Sequence, residues 1–556
     1  MLNKAFLTCL LLAWALGVQA VTAPEQAAVA TAHPAATVAG LETLAHGGNA
    51  FDAAVAISAA LAVVEPYGSG LGGGGFFLLR QAGEQPSYRF LDARERAPLA
   101  AHPDLYRRNG QVQRELSLNG ALAAAIPGLP AALVVLAERY GQLPLSDSLA
   151  PAIRLARDGV GIDRVYRERA EWRLQALLAD EESARIFLEQ GRIPAEYGLL
   201  RQPELARTLE RLAEGGHAGF YAGDTARRLI AGVKAAGGIW SPRDLASYKV
   251  VERQPLRYAL ADNRELITAP PPSAGGVALA QSLGMLQQLP WRKAGTLQRS
   301  HYVVEVLRRA YRDRGLLGDP DQMRNPLGKL LARNYLHQLA KGIHLQNATA
   351  SSSLPPAPAW REGDHTSHFT VLDRAGNAVA ATLSINLPFG AAFTVPGTGV
   401  LLNNEMDDFA ADPQGSNAYG LGGSQANAIA AGKRPLSSMS PTFIESPEEL
   451  ASFGTPGGSR IPSMVLLAIL DYLDGKPIQQ WPASPRYHHQ FQPDVLEHEP
   501  GAFSAGQVHT LEMRGYRLQK LERRYGNQQV LRWHKADGRV EAASDPRGIG
   551  QAQLWK

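Results

Sequence analysis

The chain has one cysteine in 556 residues, Cys9, and it lies in the first twenty positions. Past that point nothing can form a disulfide, act as a thiolate nucleophile or ligate a metal through sulfur. Long apolar runs are also missing. Residues 5–17 are apolar but too few to span a bilayer, and no later stretch approaches that length. Charge of one sign is lacking as well. The net charge is +4, Arg and Glu alternate along the helical stretches, and no dense Lys/Arg run is present, which argues against nucleic acid. The 55 glycines and 37 prolines follow no period, so collagen, low-complexity and repeat architectures are excluded. With 45% hydrophobic and 19% charged residues, the chain has the balance of a large globular protein.

The N-terminus reads as a secretory signal. Lys4 precedes the apolar residues 5–17, and Val18 and Ala20 supply small residues at positions −3 and −1 of a cleavage site. The expectation is removal of residues 1–20, a periplasmic or extracellular location and no stable membrane anchor. Lipid attachment at Cys9 is a weaker reading, because cleavage there would leave almost no apolar run.

Length alone suggests three or four domains. Residues 50–65 are apolar on nearly every side and read as a buried helix, with Asn49 as N-cap and Pro66 as stop. Glycines crowd residues 68–75, before the strand-like 76–79. The run contains GxGxxG, but the order is helix, glycines, strand, the reverse of a dinucleotide fingerprint, so a tight backbone crossing is the better reading. Residues 130–235 and 295–340 have the spacing of amphipathic surface helices. Residues 348–363, rich in Ser and Pro, read as an exposed segment that tolerates cutting. Residues 368–372 and 378–385 then form a hairpin around the turn 373–377, strands are expected at 400–402 and 452–454, and a buried helix at 463–473.

A threonine at the start of a strand after such a linker is weak evidence alone. Its company strengthens it: His365-Thr366-Ser367-His368-Phe369, Ser384-Ile385-Asn386, the run Asn403 to Phe409, Pro435-Leu436-Ser437-Ser438-Met439-Ser440-Pro441, and Pro456-Gly457-Gly458-Ser459-Arg460. These segments resemble the small subunit of γ-glutamyltranspeptidases. Upstream, Gly47-Gly48-Asn49-Ala50-Phe51-Asp52, the glycine run, Asp92-Ala93-Arg94-Glu95 and Gly318-Asp319-Pro320-Asp321 resemble the large subunit. Residues 483–490 and 543–547 extend the likeness, which covers nearly all of the chain beyond residue 20, in order.

The resemblance implies an α+β fold, the four-layer αββα sandwich of N-terminal nucleophile hydrolases, made by two subunits from one precursor. Thr366 would attack the carbonyl of His365, and an N→O acyl shift and hydrolysis would give residues 21–365 and a small catalytic subunit, 366–556. A threonine hydroxyl needs an adjacent base. The freed α-amine, with a reference pKa of about 7.7–8.0, suits that work. The likeness further implies that Arg94, Ser437 and Ser438 bind the substrate α-carboxylate, that Glu405, Asp408 and Asn386 hold its ammonium, that Ser384 hydrogen-bonds Thr366, and that the N–H groups of Gly457 and Gly458 form an oxyanion hole. The substrate class would be γ-glutamyl compounds such as glutathione, with water, an amino acid or a peptide as acceptor, and with no cofactor or metal.

Each residue also has a plainer reading. Arg94 fits a surface ion pair, Glu405 to Asp408 a solvated turn, Ser437-Ser438 turn chemistry, and Gly457-Gly458 an ordinary turn. No DxDxDG spacing supports calcium. His488-His489 point apart as neighbours and read as structural. Ala274 stands where many relatives have a second serine, and Phe51 replaces a smaller residue; both read as packing changes. Residues 410–434, with Tyr419, are long enough for a lid. Rival functions are an acylase of glutaryl-cephalosporin or poly-γ-glutamate type and an unprocessed binding protein.

Overall fold

The computed structural model describes residues 21–355, 366–410 and 424–556. The signal segment, His365 and Tyr419 therefore lie outside the described residues. Two antiparallel sheets organise the molecule. Their strands, in chain order, are β1 (Ala27–Thr31), β2 (Gly74–Gln81), β3 (Ser87–Ala93), β4 (Val251–Arg253), β5 (Leu256–Ala259), β6 (Glu265–Thr268), β7 (Thr366–Leu372), β8 (Ala378–Ser384), β9 (Thr442–Glu445), β10 (Glu449–Gly454), β11 (Gln529–His534), β12 (Val540–Ser544) and β13 (Gln551–Trp555). The first sheet runs β13-β1-β7-β8-β2-β3-β4 and the second β12-β11-β10-β9-β6-β5.

Strand periodicity divides the core into its layers. Phe77, Leu79, Phe369, Val371, Val379 and Ala381 point from the first sheet onto helices α1 (Pro34–Ala45) and α2 (Ala50–Val64). Phe76, Leu78, Leu372, Ala378 and Ala380 point the other way, into a core shared with Phe443, Ala451 and Phe453 of the second sheet. That core continues into α3 (Gly275–Leu286), α4 (Thr296–Arg314) and α5 (Ile461–Leu473). The result is helices, sheet, sheet, helices. Each sheet contains strands from both sides of residue 365, so the three or four domains suggested by length are replaced by one shared sandwich.

Helix α2 begins with the expected cap. Asn49 accepts from the Phe51 and Asp52 N–H groups, and Asp52 accepts in return from the Asn49 N–H at 2.9 Å. Three expectations need correction. Helix α4 is not a surface helix: it is buried from Ser300 to Tyr311, and its Glu305, Arg308 and Arg309 pair with one another below the surface. Residues 348–355 are not uniformly exposed, because Thr349 and Ser351 are buried and donate their N–H groups to Glu305 and Asp494; residues 356–365 lie outside the described residues. The glycine run does not stop before the strand, since Gly74 and Gly75 already belong to β2. No described helix is long and apolar enough to cross a membrane.

Candidate active site

Thr366 is the first residue of β7. Phe369 and Val371 face α2, so Thr366, His368 and Thr370 face the second sheet. Thr366 Oγ1 is buried and makes no hydrogen bond. Ser384 is its cross-strand partner, followed across the sheet by Gly74 and then, one residue on, by the Gly75–Ala93 pair. Arg94 therefore leaves β3 at the same sheet end, three strands from Thr366, or roughly 14 Å between backbones at about 4.8 Å per strand. An arginine side chain and a glutamyl-sized group together span that gap.

The second sheet brings its own residues to this end. Thr370 donates to Ser452 across the sheets, and the ring of His368 lies against Gly454, where an added Cβ would come within 2.0 Å of it. The loop that follows Gly454 and carries Gly457 and Gly458 therefore leaves β10 at the sheet end where β7 begins. Gly457 and Gly458 have φ of 136° and 55°, values that favour glycine, and Gly458 is buried. The loop carrying Ser437 and Ser438 enters β9 beside them. It is fixed by Ser437 N–H to the Pro272 carbonyl, Ala274 N–H to the Ser437 carbonyl, both at 2.8 Å, and Arg314 to the same carbonyl at 3.1 Å.

Glycines let the first sheet close on the site. A Cβ on Gly73 would lie 2.2 Å from the Ser384 carbonyl oxygen, and one on Gly72 2.0 Å from that of Leu401. Buried Asn403 ties the crossing to the acidic turn: its amide donates to the carbonyls of Gly72 and Ala125, and its Oδ1 accepts from the N–H of Ala125 and of Glu405. Asn386 takes a left-handed conformation, φ 72°, and donates from Nδ2 to the Asn404 carbonyl at 2.9 Å.

Two arrangements differ from expectation. Ser384 Oγ accepts from the Asn386 N–H at 2.8 Å, and no hydrogen bond joins it to Thr366; it sets the corner after β8. Arg94 does not stand apart from the acidic pair but binds it. Its Nη1 lies 2.5 Å from Glu405 Oε1, its Nη2 donates to Asp408, and its Nε donates to the Pro435 carbonyl at 3.2 Å. All three side chains are buried.

Sequence reasoning quoted Glu95 but gave it no role. Its carboxyl is fully buried, makes no hydrogen bond, and lies 3.6 Å from Arg94. Burial pushes its pKa up to about 8, against the pull of Arg94. The signal available was a second charge adjacent to Arg94 at a strand end. Glu65 was also missed: it accepts from Ser367 Oγ at 2.6 Å and from Tyr67 at 3.2 Å directly behind the Thr366 strand, and burial raises its pKa. His368 accepts or donates at Nδ1 with Thr382, and burial lowers its pKa to about 3, so it is neutral. No group of three or more His, Cys, Asp or Glu suited to a metal occurs among the described residues.

Comparison with known proteins bears on this geometry. The sequence profile of the gamma-glutamyltranspeptidase family matches residues 36–555. The glutathione hydrolase proenzyme of Pseudomonas sp. (strain A14) is 39% identical over 514 residues, 90% of this chain and 88% of its own length. The glutathione hydrolase proenzyme of Escherichia coli (strain K12) is 37% identical over 535 residues, 94% of this chain and 91% of its own. Among solved structures, a cephalosporin acylase from Bacillus halodurans superposes with a TM-score of 0.85 at 27% identity, covering 97% of this chain and 98% of that one. A profile match over almost the whole length, with sequence relatives of matching extent, shows that the chain belongs to the γ-glutamyltranspeptidase family.

Proposed function

We propose that the protein is a self-processing hydrolase and transferase of γ-glutamyl amides, glutathione among them, working through a γ-glutamyl ester on Thr366. In the precursor, Thr366 Oγ attacks the carbonyl of His365. The C–N bond breaks, the acyl group moves to oxygen, and water releases residues 21–365 from the subunit 366–556. The freed α-amine takes the hydroxyl proton as Oγ attacks the substrate γ-carbonyl. The N–H groups of Gly457 and Gly458 receive the oxyanion, and the leaving amine departs with the proton. Water, or the amine of an amino acid or peptide, then accepts the acyl group. Secretion into the periplasm or medium fits a substrate pool outside the cytoplasm.

One observation carries the substrate reading: the Arg94 guanidinium and the carboxyls of Glu95, Glu405 and Asp408 meet in one buried cluster at the sheet end that carries Thr366. With Glu95 held protonated at neutral pH, Glu405 and Asp408 are the carboxylates in contact with Arg94. A γ-glutamyl head brings a carboxylate to Arg94 and an ammonium to Glu405 and Asp408. Ser437 and Ser438 donate to the carboxylate and Asn386 supports the ammonium. A glutaryl head lacks the ammonium and adds only negative charge. This separates the chain from the acylase reading that the Bacillus halodurans neighbour raises.

Two measurements test the proposal. On a denaturing gel the wild type gives two bands and Thr366→Ala one, with no turnover; two bands from Thr366→Ala overturn self-processing at this residue. A chromogenic γ-glutamyl anilide is cleaved far faster than the matching glutaryl anilide. The reverse preference overturns the substrate class and leaves the nucleophile standing.

A further inference from the structure

The two glycines assigned to the oxyanion have no side chains to hold them, and both sit at positive φ. Their placement depends on the residues that follow. The Ser459 carbonyl accepts from Tyr311 OH of α4. The Ser459 hydroxyl donates to Gln490 Oε1 at 2.7 Å. The Arg460 N–H returns to the Gly457 carbonyl at 3.0 Å, and the Arg460 guanidinium is tied to Glu497 at 2.9 Å. His488 stands at the centre, with Nε2 2.9 Å from Gln490 Oε1 and Nδ1 2.9 Å from Ser463 Oγ on the first turn of α5. The ring edge is braced by Tyr311, at 5.5 Å between centroids and 84° between planes.

The proton positions follow from hydrogen-bond chemistry. Gln490 Nε2 donates to the Gln492 carbonyl at 3.1 Å, so its oxygen faces His488 and Ser459. An amide oxygen only accepts, hence His488 carries its proton on Nε2. Burial first, and then the positive charge of Arg460, push the His488 pKa down to about 3, so the ring is neutral and Nδ1 is an acceptor. Ser463 then divides its one hydroxyl proton between Nδ1 and the Arg460 carbonyl, 2.8 Å away. Every link in the chain Ser463, His488, Gln490, Ser459 has one fixed direction, and it ends on the two residues after the glycines.

We propose that His488, with Gln490, Ser463 and Tyr311, forms a positioning set that holds the Gly457 and Gly458 N–H groups where the oxyanion develops, a role that rests on the assignment of those groups made above. His488 touches neither substrate nor Thr366. It acts by keeping the loop in a single conformation, and preorganised donors are worth more than donors that must be ordered during reaction.

The test is His488→Phe in the processed enzyme. It keeps a ring but removes both hydrogen bonds. The kcat for a γ-glutamyl anilide falls by about 10- to 100-fold, on the scale of losing one oxyanion donor or less. KM stays within about twofold because the Arg94 cluster is untouched, and affinity for a tetrahedral boronate analogue falls in parallel with kcat/KM. His488→Gln, which keeps a donor towards Gln490, recovers part of the loss. The pH profile of kcat keeps its shape, as a ring neutral throughout demands. A kcat within threefold of wild type, or a rise in KM matching the fall in kcat/KM, overturns the proposal. If His488→Phe fails to fold, Ser463→Ala is read by the same criteria. Gly457→Ala separates the two layers: its Cβ would meet Met464 at 2.6 Å at a strained φ. Full activity there removes the oxyanion assignment and this proposal with it. Loss there with an active His488→Phe removes the proposal alone.

Discussion

Two buried arginine–carboxylate clusters in this molecule follow different rules. One joins Arg486 and Arg547 to Glu499 and Asp545, two cations with two anions. Every carboxylate oxygen there is taken: Glu499 accepts from Arg547 and from the N–H groups of Arg486 and Tyr525, and Asp545 accepts from both arginines and from the N–H groups of Gln528 and Arg547. The other sets Arg94 among Glu95, Glu405 and Asp408, with Glu95 lacking any hydrogen bond. The first cluster closes a frame. The second lies at the sheet end where β7 begins, and under the proposed function its charged groups bind the two charges of a substrate head.

Breaking each cluster in the same way tests the distinction. Asp408→Asn leaves Arg94 its contacts to Glu405 and the Pro435 carbonyl, so the protein unfolds at nearly the same denaturant concentration. The kcat/KM for a γ-glutamyl anilide falls by about 10²- to 10³-fold, the loss of a buried charge-assisted contact to the ammonium. Asp545→Asn leaves Arg486 and Arg547 short of an anion in a buried site. It lowers unfolding free energy by about 3–5 kcal/mol, while kcat/KM per folded molecule stays unchanged. A larger stability loss from Asp408→Asn than from Asp545→Asn would collapse the comparison.

Much of this was legible in the sequence, because local chemistry dictates it. The cap and apolar faces of residues 50–64 announce a buried helix, and the alternation after Thr366 announces a strand pair. The resemblance to γ-glutamyltranspeptidases gathered the segments that meet at the sheet end. What stayed hidden depends on long-range packing. Helix α4 has the charge pattern of a surface helix, but its buried Arg308 and Arg309 are paired with Glu305 and, from outside the helix, Asp494. The direct pairing of Arg94 with Glu405 and Asp408 joins residues more than 300 positions apart. The role of Ser384 as acceptor for Asn386 depends on the left-handed turn that follows β8. Residues 483–490 and 543–547 extend the family likeness in sequence, and the structure shows that their Arg486 and Asp545 form the frame.

Glu95 offers a finer test of the second cluster. Its folded pKa of about 8 lies above the ordinary carboxyl value of 4.5, so between those pH values the folded protein holds a proton that the unfolded chain releases. Stability from this group is therefore complete at low pH and is lost as pH rises, by up to about 1.4 kcal/mol per pH unit. Glu95→Gln cannot ionise, and its unfolding free energy loses that downward slope between pH 5 and 8. Ionisation above pH 8 also sets another negative charge beside Arg94, where the substrate carboxylate must bind. Wild-type KM rises a few-fold there, and that of Glu95→Gln does not. Parallel pH–stability curves for the two proteins would return Glu95 to the ordinary carboxylates.

The smallest effect belongs to ion pairs outside both clusters. Arg164 and Glu168, one helical turn apart at 2.7 Å, are about half exposed. Water and salt screen them, and holding two long side chains together offsets the Coulomb gain. Glu168→Gln changes unfolding free energy by less than about 0.5 kcal/mol and kcat/KM not at all, with any difference gone at high salt. A change near the Asp545→Asn value would mean that pairing as such, rather than burial with balanced charge, sets the behaviour of the frame cluster. With the surface pair silent, the contrast comes down to burial, which makes each charge consequential, and to position, which decides whether the consequence is felt in stability or in catalysis.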